Sequence, residues 1–190
     1  MSNARTGWIE TERLSMRPVS DADVTLFCDL YGDPATMRFV GPPLSRERAQ
    51  RSFRIVLASL DREPLERLFM AIIEKATQRA VGIGACQQFD ARYRRVEAGL
   101  VLNSESRVRG FGKEGLRALI THAFEIFPVD EVWVQHAADH AIARQLPFRL
   151  GLLPAADAPA YGVEPGKCVW STYRESWCPT PGFGSFDRRT

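Results

Sequence analysis

No apolar run in this 190-residue chain approaches the roughly 20 residues of a membrane span. Its opening stretch, MSNARTGWIE, lacks the apolar core of a signal peptide. The expected location is the cytoplasm, with no membrane partner. A formal net charge of only +2 is too small a surplus to make nucleic acid the main partner, despite local arginine clusters. The four cysteines, Cys28, Cys86, Cys168 and Cys178, show no C-x-x-C spacing and have mostly apolar neighbours. That favours buried free thiols over a disulfide framework. The three histidines, His122, His136 and His140, have no cysteine or acid partners at ligand spacing, so no metal is expected. Neither G-x-S-x-G nor H-E-x-x-H occurs.

What remains is an ordinary globular composition with 45% hydrophobic residues, enough to bury a core. Ile9 to Pro18 contains an alternating strand closed by Pro18. Ser20 and Asp23 form a capping box for a helix carrying Val24, Phe27, Leu30 and Tyr31, stopped by Gly32-Asp33-Pro34. Residues 33–44 read equally as a rigid loop over the core or as one wall of a substrate cleft. A second helix starts after Ser45 and ends by Pro64, and Leu68–Glu74 with Ala80–Gln88 reads as an antiparallel hairpin. The strand Val96–Leu102 returns from a turn at Asp90–Arg95.

A polar loop and the glycine-bearing turn Arg107-Val108-Arg109-Gly110-Phe111-Gly112 follow, then the longest helix. There Leu116, Leu119, Ile120, Ala123, Phe124 and Phe127 recur on one face of a 3.6-residue period. The chain closes with a strand at Asp130–Gln135, a helix at Ala138–Leu150 disturbed by Pro147, a short apolar piece at Leu152–Ala156, and a strand at Lys167–Trp177. The order β, α, α, β, β, β, α, β, α, β, β predicts an α/β or α+β sheet, mostly antiparallel, with one parallel crossover.

Strand, glycine turn, helix presents unpaired amide hydrogens to an anion. Gly110 to Gly115 matches G-x-G-x-x-G, but seven residues separate it from the strand end at Leu102, and no acid ends the next strand, as a dinucleotide fold requires. Gly162 to Lys167 is one residue short of a phosphate-binding P-loop and is followed by Cys168 instead of a hydroxyl. Arg107-x-x-Gly110-x-Gly112 instead resembles the R/Q-x-x-G-x-G/A acyl-CoA-binding motif of the GNAT acetyltransferase superfamily. Thr11-Glu12-Arg13-Leu14-Ser15-Met16-Arg17-Pro18 is similar to the T-x-R-L-x-x-R-P opening of its RimJ/RimL-type branch. Val96-Glu97-Ala98-Gly99-Leu100 resembles that branch's A-E-I-G-Y strand, Arg109 to Gly115 its K-G-Y-A-T-E-A turn, and Trp170 to Trp177 its closing strand. Two departures stand out. The family's N-x-x-S segment would fall on His140 and Ala143, and Val108 replaces a common glycine.

The resemblance implies a GNAT-type mixed sheet of about six to seven strands with a splayed central pair and helices on both faces. It implies a single acyl-CoA N-acyltransferase domain over residues 1–178 and a frayed tail at 179–190. Acetyl-CoA would be the co-substrate, its pyrophosphate held by the N–H groups of Val108, Arg109, Gly110, Phe111, Gly112 and Lys113, with added charge from Arg107 and Arg109. The backbone of Leu100, Val101 and Leu102 would bind pantetheine and polarise the thioester carbonyl. An amine, either a protein N-terminus or a small molecule, would be the acceptor. Glu97 is the candidate base and Tyr173 the candidate acid, with Ser171 and His136 behind it. A covalent route through Cys86 or Cys168 is disfavoured by their apolar neighbours. A homodimer through the Trp- and Phe-bearing C-terminal segment is a further expectation. The competing readings are a non-catalytic acyl-CoA sensor of the same fold and, more distantly, a nucleotide-dependent oxidoreductase.

Overall fold

The computed structural model describes residues 7–60, 62–155, 158–163 and 165–179. The tail expected at 179–190 therefore lies, from residue 180 onward, outside the described residues.

The N-terminal strand is a hairpin, because Thr11 reverses the chain. Its N–H donates to the Leu14 carbonyl at 2.9 Å and its hydroxyl oxygen accepts from the Leu14 N–H at 2.9 Å. β1 (Ile9–Glu10) thus folds back on β2 (Leu14–Pro18). α1 (Val24–Gly32) follows, and α2 (Pro34–Met37) restarts the helix behind an Asp33 N-cap with proline in the first turn. α3 (Arg46–Leu60), β3 (Leu68–Glu74), β4 (Arg79–Asp90) and β5 (Arg95–Leu102) come next. One helical turn, α4 (Ser104–Arg107), occupies the loop expected before the glycines, because Asn103 caps it by accepting from the Ser106 N–H at 2.9 Å. Then come α5 (Phe111–Ile126), β6 (Glu131–Ala137), α6 (Ala141–Leu150), β7 (Leu153–Pro154) and β8 (Lys167–Tyr173).

The sheet has eight strands in the order β1-β2-β3-β4-β5-β6-β8-β7, antiparallel throughout except between β5 and β6. The count exceeds the expected six to seven because β1 and β7 are two-residue edge pieces. β8 also stops at Tyr173, short of Trp177. The chain turns there, with the Trp177 N–H donating to the Tyr173 carbonyl, and the Trp177 indole donates to Thr121 of α5 at 3.0 Å. This aromatic, expected to meet a second copy, is seated within its own chain.

Two cores flank the sheet. The periodic face of α5 (Leu116, Leu119, Ile120, Ala123, Phe124, Phe127) is buried against Val96, Ala98 and Leu102 of β5 and Leu14 and Met16 of β2. Burial of each large side chain contributes about 1.5–3 kcal/mol. On the other face α1 and α3 place Phe27, Leu30, Ala49 and Phe53 over Phe69, Ala71 and Ile83. Side chains alternate along a strand, so Val96, Ala98 and Leu100 look toward α5 while Glu97, Gly99 and Val101 look toward α1 and α3.

The parallel pairing is short. β5 and β6 are in register only at Arg95/Glu131, Val96/Val132 and Glu97/Trp133. Beyond that point β5 runs on along β4 to Leu102, while β6 runs on along β8 to Ala137. A wedge opens between them.

Candidate active site

The wedge is a cleft of about 160 Å³ lined by residues from both faces of the sheet. Ala98, Leu100, Leu116 and Val134 line it from the α5 side, and Thr36, Val40, Gly99, Val101 and Gln135 from the other. The edge of β5 that faces it carries no ladder partner beyond Glu97. The main-chain groups of β5 that point away from β4 are thus open to an extended ligand, except the Leu102 carbonyl, which accepts from Arg107 Nε at 3.1 Å.

The glycine turn stands at the mouth of this cleft. Gly110 caps α5 with φ +79°, a left-handed conformation that glycine adopts without strain. The first-turn amides of α5 have no intrahelical carbonyl to bond, and they sit at the positive end of a 16-residue helix. The Arg109 N–H is already spent on the Ser106 carbonyl at 3.2 Å, and Val108 is exposed on the outside of the turn. The amide set expected over Val108–Lys113 is narrower here, centred on Gly110, Phe111, Gly112 and Lys113. An added Cβ on Gly112 would make only ordinary contacts with Leu146 and Leu102, so there is room above it.

Both expected phosphate-binding arginines are engaged by protein groups, although Arg107 also lines the cleft. Arg107 donates to the Leu102 carbonyl at 3.1 Å, the Ala35 carbonyl at 3.3 Å and the Thr36 hydroxyl at 2.5 Å. It therefore pins α2, the start of the 33–44 connection, to the end of β5. Arg109 is bonded to Glu74 and lies 4.7 Å from the Phe111 ring centroid. That bond, foremost, holds the Glu74 carboxyl below its ordinary range. Both guanidiniums serve the fold, a correction to the charge-assisted role expected of them.

Glu97 sits at the closed end of the wedge, 5% exposed. Its Oε2 accepts from the side-chain amides of Gln88 at 2.8 Å and Gln87 at 3.3 Å, and its Oε1 from Gln135 at 2.8 Å. Gln88 reaches it from a bulge in β4, with φ +53°, a left-handed backbone unusual for a side chain of its size. Gln135 lines the cleft; Glu97 lies behind it.

Tyr173 is not brought to the cleft. It pairs with Glu131, below the point where the strands part, and is 44% exposed. Ser171 pairs with Trp133 and is buried. His136 lines the cleft, but both its nitrogens are engaged, Nδ1 with the Ala137 carbonyl at 2.9 Å and Nε2 with the Trp170 indole N–H at 3.1 Å. Burial pushes the Cys86 thiol well above its ordinary range, which removes it as a nucleophile. Among the described residues no group of three or more His, Cys, Asp or Glu side chains is placed to hold a metal ion, and no helix is long and apolar enough to cross a membrane.

One cleft residue has a role that the sequence did not show. His140, where the family's asparagine would fall, caps α6 as an asparagine would, its Nδ1 accepting from the Ala143 N–H at 3.1 Å. This cap starts α6 at Ala141 instead of Ala138, and the helix runs through Pro147. His140 lines the cleft and packs on the Phe39 ring at 4.0 Å. Burial, first, and then the nearby Arg107 guanidinium push its pKa down. Tyr161 does not line the cleft; it donates to Glu131 at 2.6 Å and is pushed up to about 12 by burial and by that carboxylate.

The family model "Acetyltransferase (GNAT) domain" matches residues 13–153. An uncharacterized N-acetyltransferase, p20, of Bacillus licheniformis is 26% identical over 115 residues, 60% of this chain. The chain spans 64% of that relative's length. Two solved structures share the fold at 13% identity and a TM-score of 0.72. One is the spermidine N-acetyltransferase of Vibrio cholerae in complex with CoA and spermine, covering 87% of this chain and 98% of its own. The other is the ribosomal-protein α-N-acetyltransferase RimL in complex with coenzyme A, covering 88% of this chain and 98% of its own.

Proposed function

Because the chain belongs to the acetyltransferase (GNAT) domain family, we propose that it is an N-acetyltransferase moving an acetyl group from acetyl-CoA to a primary amine by direct attack. The observation that carries this reading is the wedge itself. One strand edge is left unpaired beside a helix N-terminus, and residues from both faces of the sheet line the opening. A thioester on the α5 side and an amine on the α1 side can therefore meet in it. In the reaction a C–N bond forms, the C–S bond breaks, and the proton lost by the amine ends on the departing thiol.

This chain's own groups divide the labour. The amides of Gly110 to Lys113 and the α5 dipole hold the diphosphate without a metal. The β5 edge at Leu100–Leu102 takes the pantetheine as an added strand, and an N–H there meets the oxygen on which charge develops. His140, neutral and capping α6, bounds the opposite wall.

The acceptor is a protein N-terminus or a small amine. No carboxylate lines the cleft among the described residues, while Arg107 does. That supports a monoamine over a polyamine, whose further positive charges would find no counterpart.

Thiol release from acetyl-CoA, measured across a panel of peptide N-termini, monoamines and polyamines, tests the reading. Release with at least one amine, together with thermal stabilisation by CoA, is expected. Tight CoA binding with release from no amine favours a sensor of the same fold.

A further inference from the structure

Each glutamine bonded to Glu97 turns its NH₂ toward the carboxyl oxygens and so its own oxygen away. Gln135 is thereby fixed. Its Nε2 donates to Glu97 at 2.8 Å, and it lines the cleft two residues past the point where β6 leaves β5. The remaining polar side chains of the lining are otherwise engaged. The Thr36 hydroxyl donates to Asp33 at 2.5 Å and accepts from Arg107. His136 uses both nitrogens, and His140 spends its one acceptor on the α6 cap. Arg107 has only donors. Among the described residues, Gln135 Oε1 is the one side-chain acceptor of the lining with no hydrogen bond given to it.

Resting on the acetyltransferase reading, we propose that Gln135 Oε1 receives an N–H of the acceptor amine, and that Glu97 is the positioning residue that locks the Gln135 amide in that orientation. An amine nitrogen that gives one N–H to Gln135 keeps its lone pair for the thioester carbonyl. Gln87 and Gln88 complete the device by donating to the other carboxylate oxygen, Oε2, in the closed end of the wedge. An amide oxygen neutralises no charge, and Glu97 stands behind the glutamine and not against the substrate. The site therefore selects the free-base amine. α-Amino groups, with pKa near 8, carry about two orders of magnitude more free base at neutral pH than lysine side chains near 10.4. The substrate class that follows is an α-amine, as at a peptide N-terminus, in preference to a lysine.

The test compares Gln135→Leu, Glu97→Gln and the double variant. It measures kcat and KM for a peptide α-amine, the pH profile of kcat/KM, and CoA affinity. Gln135→Leu keeps the volume and removes the acceptor, so kcat/KM should fall about 10- to 100-fold through KM, with CoA affinity within about twofold of the parent. Glu97→Gln frees the amide to flip and should give a smaller loss, with none added in the double variant. Gln135→Leu at parental kcat/KM overturns the proposal. So does a Glu97→Gln loss that exceeds it and adds in the double variant, which would make Glu97 the base. If the parent binds CoA but acetylates nothing, the enzymatic reading fails separately. Binding of the same peptide amine to the CoA-loaded protein then decides this inference, which requires measurable binding in the parent that weakens in Gln135→Leu.

Discussion

The Glu114 carboxylate holds Arg13 at three points across the gap between α5 and the N-terminal hairpin. Its Oε1 accepts from the Arg13 N–H at 2.7 Å, and its Oε2 accepts from Nε at 2.7 Å and lies 2.7 Å from Nη2. Arg13 in turn donates from Nη1 to the Arg109 carbonyl at 2.9 Å, inside the glycine turn. Thr11 adds its hydroxyl to Glu114 at 2.5 Å. The threonine and arginine of the opening motif and the glutamate of the turn motif are therefore one clamp, and its load is the turn that faces the cofactor.

Glu114→Gln should loosen that turn. The arginine is half exposed, so the pair is worth only about 1 kcal/mol, and CoA Kd should rise about fivefold in calorimetry. Burial alone would raise the Glu114 pKa, but the bonds from Thr11 and Arg13 outweigh it and leave it lowered. The clamp's contribution is complete above the ordinary glutamate range and is lost as pH falls through the folded value. Acid denaturation of the parent, compared with Glu114→Gln, should show the full difference near neutrality and its loss as pH falls through that window.

His140 predicts a second pH dependence. Its folded pKa lies below 6.5, so the unfolded chain takes up the proton first. Stability is full above about 6.5 and falls as pH drops toward the folded value. Protonation destroys the Nδ1 acceptor and puts a cation at the positive end of α6, near Arg107 and His136, with Asp139 opposing. His140→Asn keeps a cap without a titration. Melting temperatures taken between pH 7 and about 5.5 should slope for the parent and flatten for this variant.

Two glycines of the cleft strands separate fold from function. A Cβ on Gly82 would lie 2.4 Å from the Val101 carbonyl oxygen and 2.6 Å from the Leu102 side chain, forcing β4 from β5. Gly82→Ala should cost about 3 kcal/mol or more, lowering Tm by roughly 6–12 °C. Gly99 has open space where its Cβ would stand, and it lines the cleft. Gly99→Ala should leave Tm within about 2 °C while weakening amine turnover, because it narrows the acceptor side. Thermal melts and acetylation rates on the two proteins check both halves.

The elements legible in the sequence were those with local causes. The 3.6-residue period from Leu116 to Phe127 named the buried face of α5, and the hairpin of β3 and β4 followed from its flanking turns. The motif similarity foresaw the splay that follows Glu97. Harder to see were pairings made across the chain. Gln135 lies 38 residues from Glu97, and Thr36 lies 71 from Arg107, with no periodicity to join them. Tyr173 was misjudged because alternation tells which face a strand residue takes, whereas its distance from the wedge depends on the β6–β8 register. The His140 cap was local, but it was hidden by reading the position as a missing asparagine when it is another acceptor.

The central claim is that amides opening α5 hold a diphosphate while the β5 edge draws its thioester arm into the wedge. Calorimetric titration with CoA, pantetheine and NAD tests it most directly. The account predicts saturable CoA binding, pantetheine binding weaker by at least about tenfold for want of the diphosphate, and no NAD binding. Equal affinity for CoA and pantetheine, or for CoA and NAD, would contradict it.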